Sequence, residues 1–262
     1  MELGLAGRNA LVVGGSKGLG QGVAEALAGE GVSVALMARE PDALKVAADA
    51  INGRAKGQAV AVVADLADPI AIAEAVMSAQ AQIGPIDILI NNCGGPPPVM
   101  AAGADAALWQ TQFQQMVLST FQLTDLLLPS MRKRGWGRIV NIASTSVVEP
   151  IAELAISNGL RGLIAGWSKT LAGEVAGDGV TVNMLLPGSF ATARTSSIDR
   201  RQAERDGMTE SDVARLAAAG IPVGRYGRPD EFGAAAAFLC SQPAAYVTGS
   251  MMRVDGGACH SL

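Results

Sequence analysis

Short, almost wholly apolar runs alternate along the chain with longer segments whose apolar residues recur at helical spacing. Residues 10–13, 32–37, 59–63, 86–90, 138–142, 180–186 and 250–254 are the seven runs of strand length. Such runs lack the in-and-out alternation of a sheet with one wet face, so both faces must be covered. Helical spacing fills residues 21–29, 41–54, 70–83, 105–134, 157–176 and 230–241, with Pro69 and Gly84-Pro85 bounding the third segment. The alternation predicts an α/β, Rossmann-like doubly wound fold, with a mainly parallel seven-stranded sheet flanked by helices on both faces. Pro129 is expected to interrupt or end its helix, because proline removes a backbone donor. Residues 189–222 break the rhythm with Arg194, Asp199, Arg200, Arg201 and Glu204. They read as a substrate loop or lid within a single domain spanning 1–262.

Composition narrows the class. With 262 residues, 49% of them hydrophobic, the chain is long enough to fill one large core. Its net charge of -4, with both signs interspersed, argues against a nucleic-acid partner, and Arg132-Lys133-Arg134 reads as the solvated cationic end of a helix. No run is long enough to span a membrane, and the opening residues lack the basic-then-apolar order of a secretory signal. A cytoplasmic protein with no membrane partner is therefore expected. Cys93, Cys240 and Cys259 make neither a metal-ligand pair nor a disulfide framework, so no metal is expected. Cys93 and Cys240 read as small buried apolar residues, and His260, the one histidine, as part of a frayed tail.

The chemistry begins where the first strand meets Gly14-Gly15-Ser16-Lys17-Gly18-Leu19-Gly20. Glycines at 14, 18 and 20 permit a sharp turn, a close approach of backbone to a pyrophosphate and tight helix packing; a plain tight turn is the alternative. Arg39 follows the second strand where an acid would hold the ribose of NAD. With Lys17 it tilts the reading towards the 2′-phosphate of NADP(H), with NAD(H) still open and two ordinary surface cations as the other explanation. Asp65 ends the third strand, placed to accept from an adenine amino group or to cap the next turn. Ser144-Thr145-Ser146 closes the fifth strand as candidate site hydroxyls or as turn formers. Gly159, Gly162, Gly166 and Gly173 line a helix in which glycine is costly, which suggests close approach by another backbone, as in a dimer interface.

Together these motifs resemble the short-chain dehydrogenase/reductase family, particularly bacterial oxoacyl carrier-protein reductases, over nearly the whole chain. Val13 to Gly20 is similar to the family's Thr-Gly-x-x-x-Gly-x-Gly loop, with Val13 in place of threonine. Asn91-Asn92-Cys93-Gly94 resembles Asn-Asn-Ala-Gly, and Tyr246 to Gly249 and Val254 to Gly257 resemble the family's ending. The resemblance implies a cofactor site built from Gly14, Ser16, Lys17, Gly18, Leu19, Gly20, Arg39, Asp65, Leu66, Asn92 and Gly94. Pro187, Gly188 and Thr192 would border the nicotinamide, with Arg161 at its ribose.

The family's tetrad of asparagine, serine, tyrosine and lysine is kept only at Ser144. Met116 falls at asparagine, Ser157 at tyrosine and Arg161 at lysine. A serine hydroxyl lacks the phenol's acidity, and an arginine holds its charge without exchanging a proton at neutral pH. Ser144, Ser157 and Arg161 are the candidate catalytic residues, Glu149 and Glu153 the nearest replacement acids or else solvated loop acids. The leading expectation is an atypical NADP(H)-dependent oxidoreductase acting on a small carbonyl or alcohol substrate. The alternatives are a redox-inactive cofactor-binding regulatory protein and a non-redox isomerase or lyase in the same cleft. A homodimer or homotetramer is expected in each case.

Overall fold

The computed structural model describes residues 2–261. Strands β1 (Asn9–Val13), β2 (Ser33–Ala38), β3 (Ala59–Val63), β4 (Ile88–Asn91), β5 (Gly137–Ile142), β6 (Val180–Pro187) and β7 (Met251–Val254) form one parallel sheet. Their order is β3-β2-β1-β4-β5-β6-β7, so the direction of winding reverses between β1 and β4. Loops leaving those two strands diverge to opposite faces and open a crevice at their carboxyl ends. Every residue of β4 and β5 is buried, as a sheet covered on both sides requires, whereas the edge strand β7 alternates between exposed and half-buried positions.

Helices α1 (Gly18–Gly29), α2 (Pro41–Asn52) and α9 (Pro229–Cys240) cover one face through Val23, Leu27, Leu44, Phe232 and Ala236. The other face carries α3 (Pro69–Ile83), α5 (Ser119–Arg134) and α6 (Ala155–Val175) through Ile72, Val76, Leu123, Leu127, Leu171 and Val175. Asp68 caps α3 by accepting from the Ile70 and Ala71 N–H groups at 2.9 and 3.2 Å, and Pro69 takes the first turn, where no donor is needed. Helices α1 and α9 meet backbone to backbone: a β-carbon on Gly233 would collide with the Gly22 carbonyl oxygen, and one on Gly22 with that of Pro229.

Two expectations change, for Pro129 and for residues 189–222. Helix α5 runs through Pro129 to Arg134, because Pro129 lies on the exposed side, where water meets the carbonyl left without its donor. The irregularity sits upstream, where α4 (Ala106–Phe113) reaches α5 through a wide π turn over Gln114–Leu118. The region 189–222 is mostly helical, with α7 (Ala193–Asp206) and α8 (Glu210–Ala219) capped by the Thr192 and Thr209 hydroxyls. On α6, the ring of Trp109 covers Gly159, but no described atom lies within 4 Å of where β-carbons would stand on Gly162, Gly166 and Gly173. Close backbone approach within the chain therefore does not explain those glycines.

The α1–α9 contact leaves no room for a side chain. Gly233→Ala is expected to destabilise the protein by roughly 1–3 kcal/mol, read as a lowered midpoint in chemical denaturation. Gly29→Ala, where a β-carbon meets nothing within 4 Å, should leave the midpoint unchanged or slightly raised.

Candidate active site

The crevice is built first from backbone. Gly14 (φ 63°) turns the chain out of β1, its N–H donates to the Met37 carbonyl at 2.8 Å, and Gly18 (φ 60°) opens α1. Lys17, at the helix cap, supplies no side-chain acceptor, so the first-turn N–H groups of α1 face the crevice without a capping partner. Unpaired donors and the positive end of the helix fit a pyrophosphate. A β-carbon on Gly20 would collide with the Gly14 carbonyl and lie 2.8 Å from Asn92 Nδ2, which locks the turn against the end of β4. Across the crevice, Thr192 Cγ2 would stand 3.7 Å from a β-carbon on Gly18, while Gly94 has open space around it. Ser16 is half-buried in the turn, and Leu19 and Leu66 pack against the two cores. Pro187 and Gly188 lie where β6 meets β7, the Gly188 N–H donating to the Val254 carbonyl at 3.0 Å.

At the adenosine end, Arg39 is exposed and in no ion pair among the described residues. Lys17 is not free in the same way, since its Nζ lies 3.6 Å from Glu40 Oε2. Both partners are largely exposed, and such a pair is worth at most about 1 kcal/mol, so a phosphate can compete for the lysine. Asp65 Oδ1 accepts from the Ala67 N–H at 2.9 Å, the turn-capping role, with its other oxygen turned to solvent.

The reacting end lies where β4 and β5 finish. Ser157 and Arg161, one turn apart on α6, are both buried, and Arg161 Nε donates to Ser157 Oγ at 3.2 Å. Arg161 Nη1 donates to the Ile142 carbonyl at 3.1 Å, which draws the guanidinium to the last residue of β5, two positions before Ser144. Ser144 Oγ accepts from the Ser146 N–H at 3.1 Å, leaving its own O–H free to donate. The fold thus brings Ser144, Ser157 and Arg161 to one end of β5. Burial lowers the Arg161 pKa, but a guanidinium remains charged. Met116 is fully buried against Ile156 and Leu160 and offers packing alone.

Two residues join this group that the sequence pattern did not single out. Cys93 lies close enough to Arg161 for each to act on the other's ionisation, and burial pushes its thiol up despite that cation. Arg194 Nη1 reaches the Gly95 carbonyl at 3.4 Å and acts on Arg161 as a second positive charge. The signal for Cys93 was its place where the resembling motif has alanine. Arg194 carried none beyond following Thr192 by two residues.

The acids go elsewhere. Glu149 Oε2 accepts from the His260 N–H at 2.9 Å and from Cys259 Sγ at 3.3 Å, contacts that pull its carboxyl below the usual range. It stays ionised and cannot serve as an acid near neutral pH. The same contacts dock the tail, so His260 is not frayed. Glu153 is exposed, with φ 59°, and its carbonyl accepts from the Val99 N–H at 2.6 Å, joining the proline-rich loop after β4 to the entry of α6. The α7–α8 excursion is closed at its base by the bridge between Phe190 and Gly227. A cavity of about 610 Å³ lies beneath it, lined by Thr192, Asp199, Glu210 and Tyr226. The Tyr226 hydroxyl donates to buried Asp199, and burial followed by that carboxylate raises the phenol to about 12. Tyr226 is therefore fixed in its neutral form and tied to α7.

Comparison with known proteins agrees with this architecture. The family model described as Enoyl-(Acyl carrier protein) reductase matches residues 13–259. Nodulation protein G of Azospirillum brasilense is 36% identical over 249 residues, covering 95% of this chain and 96% of the relative. A 3-oxoacyl-(acyl-carrier-protein) reductase of Vibrio cholerae is 32% identical, covering 97% and 98%. Among solved structures, L-sorbose reductase from Gluconobacter frateurii, complexed with NADPH and L-sorbose, superposes with a TM-score of 0.95 at 32% identity over the full length of both chains.

Two outcomes check the geometry. Glu153→Gly, which relieves a left-handed backbone, should stabilise the protein by about 0.5–1 kcal/mol and leave turnover unchanged, in a thermal melt and a rate assay. In a Tyr246→Phe background, the Tyr226 phenolate should appear only near pH 12, and Asp199→Asn should bring it part of the way back towards 10.0. The raised pKa means that the Tyr226–Asp199 contact is intact below pH 10.0 and is lost as pH climbs through about 12.

Proposed function

We propose that this chain, which belongs to the short-chain dehydrogenase/reductase family, is an NADP(H)-dependent reductase of a small carbonyl substrate, working without the family's tyrosine and lysine. The observation that carries this reading is the buried Ser157–Arg161 pair, held at the end of β5 beside the free O–H of Ser144. NADPH, when bound, supplies the hydride that goes to the carbonyl carbon.

The α1 N-terminus, Asn92 and Thr192 would hold the dinucleotide across the crevice, and Arg39 would pair with its 2′-phosphate. The first-turn donors bear its pyrophosphate. Ser144 and Ser157 donate to the substrate oxygen, while Arg161, already bonded to Ser157, supplies the positive charge that stabilises negative charge developing there. A solvent water gives up the proton that completes the alcohol, because no side chain at the site passes one near neutral pH. The open glycines of α6 and the exposed Leu163 support the reading of a homo-oligomer, with α6 facing a second copy.

Loss of NADPH absorbance across a panel of small aldehydes and ketones tests the reaction. Ser144→Ala should lower kcat by about 100-fold, and Arg39→Ala should weaken NADPH by about tenfold or more with NADH untouched. Tight NADPH binding with no consumption by any member of the panel would sink the reading.

A further inference from the structure

Two arginines are deeply buried among the described residues, and their charges are met differently. Arg138, at the opposite end of the sheet, donates to the carbonyls of Ser241, Gly137 and Gly179 at 3.4, 2.8 and 3.3 Å and stacks 4.4 Å over the Trp136 ring. Backbone oxygens and an aromatic face satisfy it, and its role is structural. Arg161 has one carbonyl and one hydroxyl, from Ile142 and Ser157. A guanidinium carries five N–H donors, so the second Nη1 hydrogen and both on Nη2 have no partner among the described residues.

Nothing nearby balances its charge. The groups close enough to act on Arg161 are the Cys93 thiol, kept protonated by burial, and Arg194, a second cation. The loop from Cys93 to Gly95 thus runs between two guanidinium groups, with no carboxylate acting on Arg161. A buried charge left uncompensated is strongly unfavourable. Ribose hydroxyls would occupy donors but bring no negative charge. The phosphate-binding features, the α1 N-terminus and Arg39, lie at the ends of β1 and β2, away from the end of β5. The unpaired Nη2 is not sealed from solvent, so a molecule bound at the end of β5 can reach it and supply the counter-charge.

We propose that the substrate is a short oxo- or hydroxy-carboxylic acid whose carboxylate docks on the free Nη edge of Arg161, with its reacting carbonyl directed to Ser144. A planar carboxylate matches the fork of a guanidinium with two parallel hydrogen bonds. Arg194, near the start of the lid, adds long-range attraction and no fixed contact. The inference rests on the reductase reading for the carbonyl and on the unpaired cation alone for the carboxylate.

Short oxo acids are compared with their own methyl esters, both as substrates with NADPH and as ligands in calorimetry with NADP⁺ present. For the wild type, kcat/KM for an acid should exceed that for its ester on the order of 100-fold, and only the acid should release measurable heat. Arg161→Lys keeps a charge but loses the fork, so it should shrink the preference for the acid over its ester about tenfold, whatever change in kcat the two substrates share. Esters turned over as well as acids would overturn the carboxylate proposal and leave the reductase reading standing. If acids bind, esters do not, and neither consumes NADPH, the reductase reading fails and the carboxylate site stands. Binding of neither acid nor ester overturns the carboxylate proposal.

Discussion

The crevice keeps its shape because three groups meet where no β-carbon fits: Gly20 rests on the Gly14 carbonyl, and Asn92 closes over both. This contact ties the turn after β1 to the end of β4, the two strands between which the winding reverses. Everything on the cofactor side follows from it. The open first turn of α1 is aimed by Gly14 and Gly18, and Thr192 comes within reach because β6 continues the same parallel order. The second close approach, between Gly22 and Gly233, locks α1 to α9 behind the loop and keeps the helix axis pointed at the crevice.

A second constraint acts at the other end of the site. Burying Arg161 costs solvation that one carbonyl and one hydroxyl only partly restore, yet α6 and β5 hold it there. A polar thread stiffens that wall: Asn91 Nδ2 donates to Asn141 Oδ1, Asn141 Nδ2 to Ser168 Oγ, and Ser168 to the Ile164 carbonyl, linking β4, β5 and α6 through buried groups. The guanidinium is thus presented by a rigid surface, as a binding charge must be. The α7–α8 excursion is tied to the rest of the chain chiefly by the Phe190–Gly227 bridge and the Tyr226–Asp199 hydrogen bond.

Much of this was legible in the sequence for a physical reason. Inner strands buried on both faces must be largely apolar, so they showed as runs, as did the partly exposed edges β3 and β7; the glycines at 14 and 20 stand where backbone passes backbone, and Gly18 where φ is positive. Helices α7 and α8 were missed because they bury only Asp199, Ala203 and Val213. Hydroxyl caps at Thr192 and Thr209 start them, and an apolar period cannot report that. The Lys17–Glu40 pair, the docking of Cys259 and His260 on Glu149, and the nearness of Cys93 to Arg161 are long-range or side-chain facts that spacing along one element does not encode. Pro129 misled in the opposite sense: its effect depends on which side of α5 meets water, and that side is exposed.

Ser157 and Arg161, at the positions where the resemblance implies tyrosine and lysine, make a different kind of device. A phenol beside an ammonium is a proton store whose charge changes during each turnover and with the acidity of the medium. A guanidinium bonded to an alcohol is closer to a fixed electrode: its field is the same before, during and after reaction, and across the range of pH in which proteins stay folded. Acidity then enters through the solvent and the substrate, so the rate would follow the availability of water's proton and the ionic form of the incoming molecule, with the protein itself supplying a constant potential.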